Sequence, residues 1–252
     1  METQSQTVLV TGGGHGIGRG IVQAFLAQDA HVAIMDLKPQ TPPGAPFDRL
    51  RPIKGDVTRP EDVKSAIDQV YAEWGRLDVL VNNAGIYPNR PVLEMDYEQW
   101  KRVYAVDVDG TFLMSQAYAR RLIDAGQRGC IVNISSGAAI SGRAGASHYC
   151  SAKAAVEMFT KVLAMELAPH GIRVNCIRPG LIDVRSPENP EPISEEYRRE
   201  LMKTIPMNVA GQPRDIGDVA VFLASDSARY MTGSIVTVDG GSIAGRNQLP
   251  LS

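Results

Sequence analysis

Short apolar runs rich in β-branched residues alternate along the chain with longer segments of helical periodicity. Seven runs are predicted strands: TVLV (7–10), HVAIMD (31–36), PIKGDV (52–57), LDVLVNNAG (77–85), CIVNISS (130–136), IRVNCIRPG (172–180) and SIVTVDGG (234–241). Most lack strict polar alternation, which is typical of parallel strands covered by helices on both faces. The pattern predicts an α/β, doubly wound fold with a seven-stranded, mostly parallel sheet and helices on both faces.

The segments between these runs are predicted helices. They start near Gly16, Pro60, Tyr97, His148, Ser194 and Pro213. In the first helix Ile17, Ile21 and Phe25 recur at four-residue spacing, so this face should lie on the sheet. The helices from Tyr97 and His148 are apolar around more of their circumference. Packing against another subunit explains this better than burial within one chain, although both interpretations stay open.

No composition break divides the chain, so one domain over 1–252 is predicted. Two segments look irregular. TPPGAP (41–46) is a predicted surface connection, and VRSPENPEP (184–192) follows the sixth strand at the carboxyl edge of the sheet. Ligands bind along that edge in doubly wound folds. We therefore predict a substrate lid over about 184–210, with a plain loop as the alternative.

Composition narrows the classes of partner. The chain has 252 residues, 44% of them hydrophobic and 21% charged, with a formal net charge of -2. This balance predicts no nucleic acid partner and no membrane partner. The segment METQSQTVLVTGGG resembles neither a signal peptide nor a spanning segment. Three scattered cysteines suggest no disulfide framework and predict a reducing, cytoplasmic location, and no metal site is predicted.

A glycine-rich turn follows the first predicted strand. In TGGGHGIGRG, Gly12, Gly16 and Gly18 fall between strand and helix. Glycine lets the backbone turn tightly and approach a phosphate closely. The first turn of the next helix offers unpaired N–H groups and a positive dipole end to a pyrophosphate. The turn lacks the Lys and Ser/Thr of a P-loop, so it favours dinucleotide binding over nucleoside triphosphate hydrolysis.

An acidic residue ends the second predicted strand. Asp36 lies 18 residues beyond Gly18, where a carboxylate can accept hydrogen bonds from an adenosine ribose. The same charge repels the 2′-phosphate of NADP, although Lys38 and His15 could offset part of that repulsion. NAD is therefore the predicted cofactor.

The segment NISSGAAISGRAGASHYCSAK carries the candidate reacting groups. Ser136 ends a strand, Tyr149 follows 13 residues later, and Lys153 lies one helical turn beyond Tyr149. An ammonium about 4 Å from a phenolate, at an effective dielectric of about 20, contributes about 4 kcal/mol. Tyr149 could then take a proton from an alcohol as hydride leaves carbon, or return one to a ketone, near neutral pH. Ser136 would hydrogen-bond the same oxygen.

In this order and spacing the motifs resemble those of the short-chain dehydrogenase/reductase superfamily, in its single-domain branch, over nearly the whole chain. They are TGGGHGIG (11–18), DV (56–57), NNAG (82–85), Ser136, YCSAK (149–153), RPG (178–180) followed by Ile182, and VDGG (238–241). The resemblance implies a Rossmann-type fold and a homotetramer. The predicted NAD-binding residues are Gly12, Gly14, His15, Gly16, Ile17, Gly18, Asp36, Leu37, Asp56, Val57, Asn83, Ala84, Gly85, Tyr149, Lys153, Pro179, Gly180 and Ile182.

The resemblance also implies roles for some of these residues. Asp56 and Val57 should hold the adenine, Asn83 and the NNAG backbone should line the cofactor, and Lys153 should also bind the nicotinamide ribose.

Two positions depart from the family pattern. Asp107 stands where the family usually has an asparagine that supports a water relay from the lysine, and it is the fourth predicted catalytic residue. Its charge would stabilise the lysine cation while partly cancelling the field at Tyr149, so an alkaline-shifted rate profile is expected. Val184 stands where a hydroxyl residue commonly meets the nicotinamide amide, which suggests weaker cofactor affinity.

Other functions stay open at this point. A catalytically idle dinucleotide sensor would use the same fold. A hydrolase using Ser136 with His148 has the right residue types but lacks the Gly-x-Ser-x-Gly elbow.

The substrate is the least determined feature. A small-molecule sugar, polyol or sugar acid is favoured because NAD suits catabolic oxidation, while a 3-oxoacyl thioester or a cyclic alcohol stays open. The predicted substrate contacts are Arg143, Tyr87, Leu181 and Arg185. Either arginine could bind a carboxylate or a polyol, or simply be a surface arginine.

Overall fold

The computed structural model describes residues 5–185 and 194–245, which surround one seven-stranded sheet. The strands are β1 (Thr7–Thr11), β2 (His31–Asp36), β3 (Leu50–Lys54), β4 (Val79–Asn82), β5 (Gly129–Ile134), β6 (Ile172–Pro179) and β7 (Ile235–Val238). Their spatial order is β3, β2, β1, β4, β5, β6, β7, and every adjacent pair is parallel. The predicted doubly wound α/β fold is confirmed.

Each predicted helix start lies within one residue of an observed one. The helices are α1 (Gly16–Leu26), α2 (Pro60–Trp74), α3 (Tyr97–Tyr104), α4 (Gly110–Asp124), α5 (Ser147–Leu167), α6 (Glu195–Met202) and α7 (Pro213–Ala224). Local chemistry explains several starts. Pro60 and Pro213 occupy first helical positions, where the missing N–H costs nothing. Asp96 caps α3 by accepting from the Gln99 N–H at 2.7 Å, in a capping box.

The sheet separates two apolar cores. Val8 and Val10 of β1 pack in the core that α1 and α7 cover, whereas Leu9 between them packs in the core under α2, α4 and α5. Successive side chains of a strand point to opposite faces, so a strand buried on both faces needs an unbroken apolar run. Ile21 and Phe25 of α1 are fully buried, as their spacing predicts.

The predicted limits of the third strand are wrong. The strand spans Leu50–Lys54 rather than 52–57. It is an edge strand, which tolerates Pro52 because a proline there need not donate to a neighbour. The Gly55 N–H bonds to the Asp36 carbonyl at 3.0 Å, after which the chain turns towards α2. β4, β5, β6 and β7 also end earlier than predicted, whereas β2 ends at the predicted residue and β1 extends one residue further, to Thr11.

The single long helix predicted from Tyr97 is interrupted. A π-helical turn, Ala105–Asp109, separates α3 from α4 without breaking the helical path. This wider turn contains Asp107, whose side chain is fully buried. π-Turns inside helices recur at functional sites, because they redirect a side chain that a regular helix would place elsewhere.

The long helices α4 and α5 keep apolar side chains at the surface of the single chain. Met158 is 59% exposed and Met165 69% exposed, and Phe112 and Val162 also face outward. Among the described residues, every helix is too short or too polar to cross a membrane. The same part of the chain holds no group of three or more His, Cys, Asp or Glu side chains arranged to ligate a metal.

Candidate active site

Two adjoining hollows lie at the carboxyl edge of the sheet, where the strand order reverses. β1 pairs with β2 on one side and with β4 on the other, and doubly wound folds open a crevice at such a point. The glycine groove, about 160 Å³, is lined by residues that include Gly12, Gly16, Gly18, Asn83, Tyr149 and Lys153. The cleft, about 440 Å³, is lined by residues that include Tyr87, Ser136, Arg143, Tyr149, Leu181 and Tyr197.

The three predicted reacting residues meet at the boundary between these hollows. Ser136 follows β5, and its Oγ accepts a hydrogen bond from the Ala138 N–H at 3.2 Å. Tyr149 and Lys153 lie one turn apart in α5. Tyr149 lines both hollows, while Ser136 lines the cleft and Lys153 lines the glycine groove. A group bound in either hollow can therefore reach the tyrosine.

Lys153 is a buried cation. Its Nζ donates to the Ile134 carbonyl at 3.1 Å, lies 3.2 Å from Asp107 Oδ2, and is 5.8 Å from the centroid of the Tyr149 ring. Burial alone lowers the pKa of Lys153, but the attraction of Asp107 and then of Tyr149 outweighs it, so the pKa is raised. The lysine keeps its proton at neutral pH and places a positive charge beside the tyrosine.

Asp107 holds this lysine from inside the π-turn. Its Oδ1 accepts a hydrogen bond from the Ile86 N–H at 2.8 Å, which fixes the carboxylate against the loop after β4. Oδ2 lies at ion-pair distance from Lys153 but, among the described residues, accepts no hydrogen bond. Asp107, the fourth predicted catalytic residue, thus forms a direct ion pair with Lys153.

Backbone geometry explains the glycines of the groove. Gly12 and Gly16 have φ values of +64° and +53°, a region that L side chains rarely adopt. At Gly18 there is no space for a side chain, because a Cβ would clash with the Gly12 carbonyl oxygen and lie 2.5 Å from Asn83 Nδ2. The turn therefore presents bare backbone and the amino end of α1 to the groove.

Asn83 fastens this turn to the end of β4. Its Nδ2 donates to the carbonyls of Thr11 and Gly12 at 3.0 and 2.9 Å. In return, Thr11 Oγ1 accepts from the N–H groups of Asn83 and Ala84, both at 3.1 Å. The Asn83 side chain is thus committed to holding the turn, while the backbone of Ala84 and Gly85 lines the groove.

Comparison with known proteins identifies the family. A family model described as enoyl-(acyl carrier protein) reductase matches residues 12–242. The mouse protein (3R)-3-hydroxyacyl-CoA dehydrogenase is 36% identical over 255 residues, which cover 96% of this chain and 97% of that protein. Sorbitol dehydrogenase of Cereibacter sphaeroides is 33% identical over 254 residues, which cover 96% of this chain and 99% of the relative.

A crystal structure of a short-chain type dehydrogenase/reductase from Mycobacterium marinum has a TM-score of 0.88 and 35% identity, and the match covers 95% of this chain and 96% of that one. The chain belongs to the short-chain dehydrogenase/reductase family. It is therefore an oxidoreductase that acts on CH–OH groups with a nicotinamide dinucleotide. The resemblance stated from the motifs is confirmed, and an idle sensor finds no support among these relatives.

In this short-chain dehydrogenase/reductase, Asp36 lies beside the glycine turn. Its Oδ1 accepts from the Lys38 N–H at 3.0 Å and its Oδ2 from the Gly14 N–H at 3.4 Å, so the carboxylate faces the turn. Leu37 next to it is exposed. The structure thus holds a negative charge beside the backbone of Gly14.

The Asp56 and Val57 turn is fixed by its own hydrogen bonds. Asp56 Oδ1 accepts from the N–H and the hydroxyl of Thr58 at 2.9 and 2.8 Å. Val57 is buried, and its side chain would meet a Cβ on Gly110 at 2.7 Å. The turn therefore packs against the start of α4 through a position that only glycine fits.

The segment after β6 closes the other side of the site. A Cβ on Gly180 would lie 2.6 Å from Asp239 Cβ, so this glycine lets the chain pass close to the turn after β7. Ile182 forms an isolated parallel bridge with Gly211. Val184 lines both hollows and would meet a Cβ on Gly16 at 3.4 Å.

The two predicted substrate arginines, Arg143 and Arg185, have different hydrogen-bond partners in the structure. Both line the cleft, together with Tyr87 and Leu181. Arg185 is bound to Asp183 through Nε at 2.8 Å and Nη2 at 2.6 Å. Arg143 instead bonds to two neutral oxygens, Asn89 Oδ1 at 3.1 Å and the Tyr197 hydroxyl at 3.4 Å.

His148 does not form a hydrolase pair with Ser136. Its Nδ1 accepts from the Tyr149 N–H at 2.9 Å, and its buried Nε2 has no partner among the described residues. Burial lowers the pKa of His148, so the ring is neutral at neutral pH. The histidine is part of the first turn of α5, as one of the sequence interpretations held.

Sequence reasoning missed the ion pair behind the site. Arg178 of the RPG motif bonds to Glu157 of α5, Nε to Oε1 at 2.7 Å and Nη2 to Oε2 at 2.6 Å. Ser135 Oγ donates to the same carboxylate at 2.9 Å. Glu157 lies one turn beyond Lys153, so the helical spacing was the available signal. This network joins α5 to β5 and β6 and so fixes Tyr149 relative to Ser136.

The far wall of the cleft was also missed. Asp183, Tyr197, Arg198 and Asp239 line it, and of these four residues Asp239 alone lies in a quoted motif, VDGG. Asp183 binds both Arg185 and Arg198, and the hydrogen bonds from Arg185 are the main cause of its lowered pKa. The predicted lid over about 184–210 falls partly on residues 186–193, which lie outside the described residues, and α6 supplies Tyr197 and Arg198.

Proposed function

We propose that the protein catalyses the NAD-dependent interconversion of a secondary alcohol and a ketone, with Tyr149 as the acid/base. The main support is the position of Tyr149 at the boundary of the two hollows. Its ring centroid lies 5.8 Å from Nζ of the buried, cationic Lys153. A phenol beside a buried positive charge can exchange a proton with a substrate oxygen near neutral pH.

The proton steps use three side chains. In the oxidative direction the Tyr149 phenolate takes the proton of the substrate hydroxyl, and Ser136 Oγ donates a hydrogen bond to the same oxygen. Lys153 stabilises the phenolate electrostatically. Tyr149 and Lys153, which line the glycine groove, would hold the nicotinamide end of the dinucleotide, and the bound ring would supply the acceptor for the hydride of the carbinol carbon. In the reductive direction the Tyr149 hydroxyl returns the proton to the carbonyl oxygen.

The glycine groove has the features that a dinucleotide needs. Bare backbone at Gly12 and Gly18 and the amino end of α1 suit a pyrophosphate. On this basis the predicted set of cofactor residues, from Gly12 to Ile182, is retained as a proposal. The Asp36 carboxylate beside Gly14 supports NAD, because it would repel the 2′-phosphate of NADP.

Two residues tune this proposed chemistry. Asp107 raises the pKa of Lys153 against the effect of burial, and its charge opposes the field of the lysine at Tyr149. The rate profile should therefore lie at higher pH than with an asparagine there. Val184 offers no hydroxyl to the nicotinamide amide, which should weaken cofactor binding.

We propose a sugar, polyol or sugar acid as the substrate, with a 3-oxoacyl thioester as the alternative. The polar groups of the cleft, above all Arg143 and the hydroxyls of Tyr87 and Tyr197, support an oxygen-rich small molecule. Burial raises the pKa of Tyr87, so its hydroxyl stays protonated and can donate. The relative named sorbitol dehydrogenase favours the first class and the relative named (3R)-3-hydroxyacyl-CoA dehydrogenase the second.

A parallel assay tests the proposal. Polyols, sugar acids, hydroxy acids, cyclic alcohols and a 3-oxoacyl thioester should be assayed with NAD(H) and NADP(H), following reduced nicotinamide. We expect turnover of at least one oxygen-rich alcohol, with a higher kcat/KM for NAD than for NADP. Turnover of no substrate with either cofactor contradicts the proposed function, and a higher kcat/KM with NADP contradicts the cofactor assignment.

We also propose a cytoplasmic homotetramer of single-domain subunits. The exposed Met158, Val162 and Met165 on α5 and Phe112 on α4 form an apolar surface that a second subunit would cover. Light scattering at micromolar concentration should give four times the mass of the chain, whereas a monomer contradicts the assembly. The three cysteines are all free, which supports a reducing compartment.

A further inference from the structure

Arg143 places a positive charge next to Tyr149, the proposed acid/base. It belongs to the segment between β5 and α5 and lines the cleft with Ser136 and Tyr149. Its Cζ lies 5.6 Å from the centroid of the Tyr149 ring and 5.9 Å from that of Tyr197. A substrate whose hydroxyl reaches Tyr149 therefore lies within a short distance of the guanidinium.

Among the described residues, no carboxylate forms an ion pair with the guanidinium of Arg143. Its two terminal nitrogens bond to the neutral oxygens of Asn89 and Tyr197, the second at a long 3.4 Å. Its Nε is buried and has no hydrogen-bond partner in the described part of the chain. An incompletely bonded, partly buried cation costs free energy that a bound anion would recover.

The other charges of the cleft are already engaged. Asp183 neutralises Arg185 at 2.6 Å and Arg198 at 3.1 Å, and Glu195 lies 3.7 Å from Arg185. Asp239, at the other side, accepts the N–H groups of two residues that follow it, at 2.8 and 2.9 Å. Among the described residues that line the cleft, Arg143 is thus the cation that has no acidic partner.

We infer that the substrate carries a carboxylate and that Arg143 binds it. The inference rests on the proposed function, since it takes Tyr149 as the group that meets the substrate hydroxyl. A planar carboxylate matches the fork of a guanidinium, and the contact between Cζ and the Tyr149 ring leaves room for only a few carbon atoms between acid and carbinol. The substrate class is therefore a short hydroxy acid or sugar acid, or the matching oxo acid.

The test compares acids with neutral analogues of the same skeleton. Gluconate is paired with sorbitol, and 2- and 3-hydroxybutanoate with their methyl esters, for the wild type and for Arg143→Gln. We expect the wild type to prefer the acids. Arg143→Gln should lower kcat/KM for them by about tenfold to a hundredfold, mainly through KM, and change the values for neutral analogues by less than about threefold.

Two further variants sharpen the result. Arg143→Lys keeps the charge but loses the planar fork, so it should restore part of the preference for acids. Arg90→Gln removes a charge from an exposed residue outside the cleft lining, which pairs with Glu94, and should leave the preference intact.

The failures of the two proposals are distinguishable. If neutral analogues are turned over as well as the acids, or if Arg143→Gln keeps the preference, the carboxylate inference is wrong while the dehydrogenase function stands. A higher kcat/KM for glycerol 3-phosphate than for the acids would also overturn it, in favour of a phosphate. Absence of turnover for acids and neutral analogues alike would contradict the proposed function itself, and the inference with it.

Discussion

The glycine groove and the cleft meet at Tyr149, yet they are built from different parts of the chain. One side of the groove is backbone that follows β1 and β4, fastened by the hydrogen bonds of Asn83 to Thr11 and Gly12. The cleft is walled by side chains from loops and from α6, such as Arg143 and Tyr197, which meet through contacts as long as 3.4 Å.

Substitutions in the two hollows should therefore have different effects. In the groove, position and size are fixed by the sheet, so a substitution should disturb both the fold and cofactor binding. In the cleft, the side chains that we propose to contact the substrate come from loops and from α6, so a substitution there should change specificity first. The residue that serves both hollows should respond most strongly of all.

Removing the shared hydroxyl should have the largest effect. Tyr149→Phe keeps the ring at the boundary but removes the group that we propose to carry the proton. We expect kcat to fall by about 10²-fold to 10⁴-fold, with cofactor affinity within about threefold of the wild type. Steady-state kinetics and quenching of protein fluorescence by NADH measure the two quantities. Tyr230→Phe, at a fully exposed residue, is the matched control. Full turnover by Tyr149→Phe would remove the basis of the proposed mechanism.

A methyl group in the glycine groove tests the idea that its geometry is fixed. In Gly18→Ala the new Cβ would lie 2.1 Å from the Gly12 carbonyl oxygen, so the turn or α1 must shift. We expect a loss of about 1–3 kcal/mol in the free energy of unfolding and at least about a tenfold weaker affinity for NADH. Denaturant unfolding and fluorescence titration provide both values. Gly245→Ala meets open space and should change neither. If Gly18→Ala changes neither the free energy of unfolding nor the affinity for NADH, the geometry of the groove is not fixed as we propose.

The charge beside the groove tests cofactor choice without a change of fold. Asp36→Ser removes the carboxylate that faces Gly14 and should raise the ratio of kcat/KM with NADP to that with NAD by about tenfold, or about 1.4 kcal/mol. Asp48→Ser removes the same charge from an exposed loop and serves as the control. An unchanged ratio in Asp36→Ser would argue that this carboxylate has no part in selecting NAD.

An effect of similar size is expected in the pH dependence. Asp107→Asn removes a negative charge that opposes the field of Lys153 at Tyr149. The acid limb of kcat/KM for oxidation should move to lower pH by on the order of one unit, since a charge roughly 10 Å away at an effective dielectric near 20 contributes about 1.7 kcal/mol. Asp109→Asn, at an exposed position two residues on, should leave the limb in place. An unmoved limb in Asp107→Asn would show that this carboxylate does not oppose the lysine at the tyrosine.

Most of the groove could be predicted because its requirements are local. Glycines at 12, 16 and 18 serve one turn, and Tyr149 and Lys153 share one face of one helix. The role of Asn83 was only partly predicted. It lines the groove as expected, but its side chain bonds to Thr11 and Gly12, which lie 72 and 71 residues earlier in the chain. Such a pairing leaves no mark within the NNAG segment itself.

The remaining differences arise from packing between distant segments. Helical periodicity could not reveal that five residues around Asp107 form a π-turn, because the apolar pattern continues on both sides. The limits of β3 depend on its edge position, which the order of strands in space decides. The two predicted substrate arginines look alike in sequence, but in the folded chain Asp183 binds Arg185, whereas Arg143 bonds to the neutral oxygens of Asn89 and Tyr197.

The sequence by itself determined the doubly wound fold, the glycine turn and the spacing of the serine, tyrosine and lysine, because each depends on side-chain periodicity or on residues within a few turns of one another. The tertiary structure alone decided which charges cancel. Burial of Asp107 against Lys153 and the pairing of Arg185 with Asp183 depend on distances between elements far apart in the chain. Coulomb energy follows distance in space and local burial, so it emerges only in the folded chain that Arg143 has no acidic partner among the described residues.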